Sequence, residues 1–147
     1  MVTRGIRYAL IGLTVGIAVA IPLQVFFAGV GVFGGGFDVH RGAGDIIVTL
    51  TILVFLLSLA GWLRRETFGA GGRGSLAVIG LALALMVVAH LQFVFLGFRG
   101  TPWVAGLHAL NAFSILGLAV TVVRRALAEL GNRASERPPE PATRPNA

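Results

Sequence analysis

Polar residues interrupt the chain at intervals that leave four long apolar stretches. The stretches cover about residues 6–28, 39–63, 76–98 and 103–123. Each approaches or exceeds the ~20 residues that an α-helix needs to cross a ~30 Å hydrocarbon layer. Helices are favoured over strands because an open sheet would leave unpaired backbone groups in lipid. The pattern therefore predicts an all-α membrane protein, a bundle of four transmembrane helices.

The two halves of this apolar region match each other when the sequence is shifted by 68 residues. The positions that coincide are Leu23 and Leu91, Gln24 and Gln92, Phe27 and Phe95, Gly29 and Gly97, and His40 and His108. The shift places the first helix on the third and the second helix on the fourth. We therefore predict two helical-hairpin repeats that are parallel, because both begin on the same side of the membrane.

The composition agrees with a membrane protein and excludes several kinds of site. Of the 147 residues, 56% are hydrophobic and 12% are charged, whereas soluble domains carry about 25% charged residues. Cysteine is absent, which excludes disulfides, thiolate metal sites and a cysteine nucleophile. All twelve basic residues are arginine, and the net charge is +6.

The arginines near the ends of the predicted helices are divided unequally between the two sides of the membrane. Two of them, Arg41 and Arg99, fall on the far side. Eight fall on the side of the N-terminus, namely Arg4, Arg7, Arg64, Arg65, Arg73, Arg124, Arg125 and Arg133. Basic loops stay on the cytoplasmic side, so we expect a bacterial inner-membrane protein with both termini in the cytoplasm. This distribution accounts for the basicity without a nucleic-acid partner.

The chain divides into one transmembrane domain, residues 1–130, and a C-terminal tail, residues 131–147. The tail contains four prolines and no apolar periodicity. Segments of this composition do not bury enough apolar surface to fold. We therefore predict a disordered cytoplasmic tail.

The repeated histidines, His40 and His108, are the strongest candidates for chemistry. The hairpin topology places both near the outer face, and His108 lies about five residues inside the fourth helix, ~7–8 Å along its axis. His40 reaches the same depth if the second helix begins before it. If that helix begins at Ile46 instead, His40 is a surface loop residue. Both starting points are compatible with the sequence.

Small residues flank both histidines at one-turn spacing. Gly36 and Gly44 lie on either side of His40, and Val104 and Ala112 hold the equivalent positions around His108. Such residues allow another helix, or a flat macrocycle, to come close. Helix packing and cofactor binding both remain open on this pattern, and the repeated histidine favours the cofactor.

Arg41 gives the first hairpin a polar edge that the second hairpin lacks. Asp45 lies one turn further along and is a candidate i,i+4 ion-pair partner. An arginine beside a histidine at the outer face is placed to hold a haem propionate. The alternative is an interfacial arginine that extends to water.

His90 is the histidine that the repeat does not explain, since its counterpart is Pro22. An imidazole at this depth is a candidate ligand, proton relay or quinone contact. Gln24 and Gln92 are expected to form hydrogen bonds across helices, and Asn111 is a similar candidate.

Short elements of both hairpins resemble the haem A synthase family. They are Leu23-Gln24, Gly29, His40-Arg41 and Gly44 in the first hairpin, and Leu91-Gln92, Gly97, Pro102 and Leu107-His108-Ala109 in the second. The resemblance covers about residues 8–125. It implies one haem at the outer side of the membrane, with His40 and His108 as its ligand pair. The chain also resembles small four-helix bacterial membrane proteins of about this length.

The departures from that family limit what the resemblance implies. A haem A synthase has eight helices and two such sites, whereas this chain supplies one half, which a homodimer would complete. Cytochromes of the b561 type carry histidine pairs at both membrane faces. In this chain, the half of the predicted bundle nearer the cytoplasm has no histidine.

We therefore expect one haem b with two histidine ligands. Candidate cofactor-binding residues besides the pair are Arg41, Gly44, Ala112 and His90. Two axial imidazoles favour electron transfer, here with a quinone or an outer-face redox partner inside a larger membrane complex. The alternatives are a structural or accessory subunit without cofactor, and a haem-modifying protein of the synthase type that is active as a dimer.

Overall fold

The structure, a computed structural model, is built from four long helices and describes residues 2–63, 73–98 and 100–135. The helices are α1 (Val2–Val30), α2 (Asp38–Leu63), α3 (Arg73–Gly97) and α4 (Pro102–Ser135). Each is long and apolar enough to cross a membrane. The prediction of an all-α membrane protein with four transmembrane helices is thus confirmed. Arg64, Arg65, Arg99 and residues 136–147 lie outside the described residues.

The four helices form a closed ring. The main contacts join α1 with α2, α2 with α3, α3 with α4, and α4 with α1. Consequently α2 and α4 lie opposite each other across the bundle, as do α1 and α3. Short turns join α1 to α2 and α3 to α4 at the same end, which we call the histidine end.

Glycines allow the chain to turn sharply between α1 and α2. After Val30 the chain continues as one wider helical turn, Gly31–Gly35, and then bends. Gly34 (φ 98°) and Gly36 (φ 76°) adopt left-handed conformations, which side chains with a Cβ rarely tolerate. Helix α2 therefore begins at Asp38, two residues before His40. A start at Ile46 is wrong, and His40 belongs to the helix.

The turn between α3 and α4 is shorter, and backbone hydrogen bonds stabilise it. Backbone hydrogen bonds join Phe98 to Phe95 (3.1 Å) and Thr101 to Phe98 (2.9 Å). Pro102 then occupies the first position of α4, where proline is favoured because its missing N–H has no helical partner there. Helix α4 continues to Ser135 and so includes the first five residues of the segment for which a disordered tail was predicted.

The bundle interior follows a spacing of three and four residues along each helix. On α1 the buried residues are Arg7, Leu10, Thr14, Ile17, Ile21 and Gln24. On α2 they are Ile47, Thr51, Val54, Ser58 and Gly61. This alternation is typical of helices that pack side by side with interlocking side chains. Many of the large apolar side chains, such as Phe26 and Phe113, are instead exposed, as expected for a surface that faces lipid.

Several buried polar side chains are satisfied by the helix that carries them. Thr14 Oγ1 donates to the Leu10 carbonyl at 2.6 Å, and Ser58 Oγ donates to the Val54 carbonyl at 2.8 Å. Thr51 Oγ1 donates to the Val48 carbonyl at 2.7 Å. Hydroxyls bonded in this way add no uncompensated polarity to the interior.

Enlarging a buried alanine is expected to destabilise the bundle, whereas enlarging its neighbour is not. Ala119 is 0% exposed, while Val120, the next residue on α4, is 42% exposed. Ala119→Leu should lower the free energy of unfolding by about 1–3 kcal/mol through overpacking. The measurement is thermal unfolding of the detergent-purified protein followed by circular dichroism. Val120→Leu is the control, and an equal loss in both variants would contradict this packing.

Candidate functional site

His40 and His108 lie side by side at the histidine end. Their ring centroids are 6.1 Å apart, and the ring planes are inclined by 64°. His40 is on the first turn of α2 and His108 on the second turn of α4. Because these helices lie opposite each other, the two rings face the interior of the bundle from opposite sides. Both rings are partly buried.

Two reciprocal hydrogen bonds tie His40 to Gln24 of α1. His40 Nδ1 lies 3.0 Å from the Gln24 carbonyl oxygen, and Gln24 Nε2 donates to the His40 carbonyl oxygen at 2.9 Å. A carbonyl oxygen only accepts hydrogen bonds, so His40 Nδ1 carries the proton. His40 Nε2 then keeps its lone pair and is the nitrogen available to a metal. We call this pair of bonds the Gln24–His40 clasp.

Gly44 makes the clasp possible. A Cβ atom at this position would lie 2.9 Å from Gln24 Nε2, closer than packed atoms normally approach. The missing side chain at position 44 thus gives room to the amide of Gln24. The expectation that glutamine bonds across helices is confirmed for Gln24, although its partner, the backbone of His40, was not anticipated. The spacing of Gly44 one turn after His40 was the available signal.

The second hairpin contains the corresponding residues, and there too the histidine ring lies against the backbone of the glutamine, Gln92. This contact falls outside the geometry of a normal hydrogen bond, since the buried His108 Nδ1 has no partner of that geometry among the described residues. Gln92 Oε1 is likewise buried without a partner in the described part of the chain. Asn111 instead joins the two helices, donating from Nδ2 to the Val88 carbonyl oxygen at 2.8 Å.

The histidine end therefore combines two imidazoles with buried polar atoms that lack partners. Besides those of His108 and Gln92, Gln24 Oε1 has none within residues 2–63, 73–98 and 100–135. An unsatisfied buried polar atom costs about 1–3 kcal/mol. Native proteins keep few of them, and such atoms often mark a place where another group binds.

Arg41 forms a different ion pair from the one expected from the sequence. Arg41 pairs with Asp38 at 3.6 Å, one turn before it in the helix, and not with Asp45. The two side chains are 63% and 97% exposed, so their attraction contributes little stability. The Phe37 ring lies edge-on to His40, with 6.2 Å between ring centroids. Arg41 is thus at the exposed rim beside His40.

The structure does not bring His90 to the histidine pair. Ala89 of α3 faces the core and Gln92 is partly buried, whereas His90 lies on the exposed side of the helix. Its Nδ1 donates to the Met86 carbonyl oxygen of the same helix at 2.7 Å. His90 is therefore a separate polar group on the outer surface of α3.

Two histidines are too few to hold a bare metal ion. A zinc ion, for example, takes three or four protein ligands. Among the residues that the structure describes, no group of three histidine, cysteine, aspartate or glutamate side chains is placed to hold a metal. A haem iron receives its equatorial ligands from the macrocycle and needs axial ligands only. The residues present fit a haem, with His40 and His108 as the pair that would hold it.

Replacing each glutamine by leucine should separate the bonded residue from the unbonded one. Gln24→Leu removes the bond to the His40 carbonyl, whereas Gln92→Leu removes a buried oxygen that has no partner in the described structure. We expect Gln24→Leu to be less stable than Gln92→Leu by about 1 kcal/mol. Thermal unfolding in detergent measures the difference, and a less stable Gln92→Leu would contradict the assigned bonds.

Comparisons with models of protein families, with curated proteins and with solved structures find no match for this chain. The resemblance to haem A synthases thus depends on the short elements around Gln24, His40, Gln92 and His108.

Proposed function

We propose that this chain is a membrane-embedded haem b protein that transfers electrons. His40 and His108, at one end of the four-helix bundle, are the residues that would hold the haem. The partner is a membrane quinone or a redox protein at the outer face, and the chain works within a larger membrane complex.

The distance between the two rings carries this proposal. Two metal–nitrogen bonds of ~2 Å each, with ~1.2 Å from each ring centre to its nitrogen, separate the ring centroids of opposed imidazole ligands by about 6 Å. The centroids of His40 and His108 are 6.1 Å apart. The separation of the two centroids therefore matches that of two imidazoles that share one metal ion.

The surrounding residues support the same function. The Gln24 carbonyl fixes the proton on His40 Nδ1 and so leaves Nε2 for coordination, the arrangement found in most metal-binding histidines. The Arg41 guanidinium lies at the rim, where its shape suits a carboxylate. When bound, haem b supplies a one-electron couple. A haem held by two histidines would favour electron transfer.

The repeat that underlies this site is supported by the buried positions. Under the shift of 68 residues, buried positions of the first hairpin fall on buried positions of the second. On α1 and α3 the pairs are Leu10 and Val78, Thr14 and Ala82, Ile17 and Leu85, and Ile21 and Ala89. On α2 and α4 they are Ile47 and Ile115, Thr51 and Ala119, Val54 and Val122, and Ser58 and Ala126. Two parallel hairpins with equivalent faces turned inward account for this agreement.

The location of the site determines the kind of partner. Arginine distribution supports cytoplasmic termini in a bacterial inner membrane, which puts the histidine end outside. A haem at one face does not by itself move electrons across ~30 Å of hydrocarbon. A quinone or a second redox centre is therefore part of the proposal.

The proposal predicts a low-spin b-type absorption spectrum that depends on both histidines. Protein expressed with ample haem and purified in detergent is reduced with dithionite, and the reduced-minus-oxidised difference spectrum is recorded. His40→Ala and His108→Ala should each abolish the low-spin signal, because each removes one axial ligand.

His90→Ala is the matched control, since it removes a third imidazole that lies on the exposed side of α3. It should leave the low-spin spectrum unchanged. Colourless wild-type protein would contradict haem binding and would favour a structural subunit without cofactor. Loss of the signal in His90→Ala and His108→Ala, but not in His40→Ala, would contradict the ligand pair.

A further inference from the structure

Two ionisable side chains, Asp45 and His90, lie on the outer surface of the bundle inside the spanning helices. Both are exposed. Asp45 is seven residues after the start of α2 at Asp38, and His90 is seven residues before the end of α3 at Gly97. Each is therefore ~10 Å from the end of its helix. Ionisable side chains at such a depth nearly always face protein or water and not lipid, so we expect another protein surface to cover them.

Neither group pairs with another side chain of its own copy within the described residues. Arg41, one turn before Asp45, is paired with Asp38 instead. His90 Nδ1 donates to the Met86 carbonyl oxygen at 2.7 Å, so Nε2 is the nitrogen left for a partner. The outer surface thus carries an unpaired acid and an unpaired base, which are complementary to each other.

His90 lies at about the depth of the histidine pair. The bond from Asn111 Nδ2 to the Val88 carbonyl oxygen sets α4 against α3. His90 follows Val88 by two residues, ~3 Å towards the histidine end. His108 precedes Asn111 by three residues, ~4.5 Å towards the same end. His90 and His108 therefore differ by only ~2 Å in depth.

Asp45 begins deeper than His90, and the directions of the two side chains reduce the difference. Asp45 follows His40 by five residues, which puts it ~7.5 Å further from the histidine end and roughly 6 Å deeper than His90. Side chains on a helix lean towards its N-terminus. The N-terminus of α2 is at the histidine end, and that of α3 is at the opposite end. Asp45 therefore leans towards the histidine end and His90 away from it, so that the two groups approach a common level.

Each group belongs to an exposed stripe with the spacing of packed helices. The stripe on α2 consists of Asp45, Thr49, Ile52 and Leu56. The stripe on α3 consists of Leu83, Val87, His90 and Val94. Steps of three and four residues keep a stripe on one face of a helix and allow it to interlock with another helix. Two such stripes on neighbouring helices form a surface that fits a helix pair of the same kind.

We propose that two copies of this chain form a dimer in the membrane, in which Asp45 of each copy bonds to His90 of the other. A two-fold axis along the membrane normal keeps depths equal, packs α2 of each copy on α3 of the other and forms the pair twice. In each pair the carboxyl group and His90 Nε2 share one proton, so the pair carries no net charge into the lipid. A second copy supplies both the base for Asp45 and the acid for His90. The surface is separate from the histidine pair, and the dimer does not depend on haem.

The test converts one of the two pairs into a disulfide and keeps the other pair. The chain has no cysteine, so introduced thiols are the only ones present. Asp45→Cys and His90→Cys are made in separate copies that carry different tags and are expressed together. A mixed dimer then has one pair of thiols and one native pair. Membranes are oxidised with copper phenanthroline, and the tags on the linked product are identified by immunoblot.

We expect a disulfide-linked product that carries both tags. Leu91→Cys is the matched control for His90→Cys, because Leu91 is the next residue of α3 and is also exposed. It lies about 100° further around the helix, outside the stripe. Copies with Leu91→Cys should not become linked to copies with Asp45→Cys.

A second measurement tests the acid–base pair itself. Energy transfer between copies labelled at the C-terminus is followed in lipid vesicles while the protein is diluted with lipid. Asp45→Leu and His90→Leu each remove both pairs of the dimer and should raise its dissociation constant about tenfold or more. The double variant Asp45→His with His90→Asp should restore association. Circular dichroism of each variant establishes that the bundle is folded.

The outcomes separate this inference from the proposed function. Equal linking of His90→Cys and Leu91→Cys to Asp45→Cys, or no linking of either, would overturn the dimer. Wild-type copies that do not associate in lipid would also overturn it and would leave a different subunit as the cover of Asp45 and His90. A double variant that stays dissociated would contradict the acid–base pair. Wild-type protein that binds no haem would overturn the proposed function and leave the dimer unaffected.

Discussion

A polar group inside a membrane bundle has to find its hydrogen-bond partner within the protein, because lipid offers none. Most of this chain meets the requirement locally, as Thr14 and Ser58 do by bonding to their own helices. The histidine end meets it across helices, through the clasp between Gln24 and His40. The polar atoms that remain unmatched among the described residues cluster largely there. The same constraint that stabilises the bundle thus singles out its candidate site.

The two hairpins meet this constraint with different side chains at positions that lie 68 residues apart in the sequence. The first hairpin carries hydroxyls at Thr14, Thr51 and Ser58, where the second carries alanines. Serine and threonine hydroxyls that bond to the preceding turn of their own helix need no partner on another helix. Both hairpins therefore have small side chains at these buried positions, and their helices pack closely. At the histidine end, glycine at position 44 leaves room for the amide of Gln24, which reaches the neighbouring helix.

The lengths of the apolar stretches were enough to predict the number and approximate ends of the helices, because these lengths do not depend on tertiary contacts. The sequence repeat paired His40 with His108, and the structure brings their rings together. The sequence of α3 alone does not predict which face of the helix carries His90. A helix that is apolar on all sides has no periodic pattern to show which face is turned toward the core. The partner of Arg41 was also missed. Asp38 and Asp45 are both near it in sequence, and only the start of α2 places Asp38 in range.

The clasp also sets the register of α1 along α2. Each of its bonds runs from the side chain of one residue to the backbone of the other, so a slip of one residue, about 1.5 Å along the axis, would stretch both together. The clasp therefore fixes the position of α1 along α2 in the first hairpin. A hairpin held in this way keeps His40 in a single tautomer, with its proton on Nδ1.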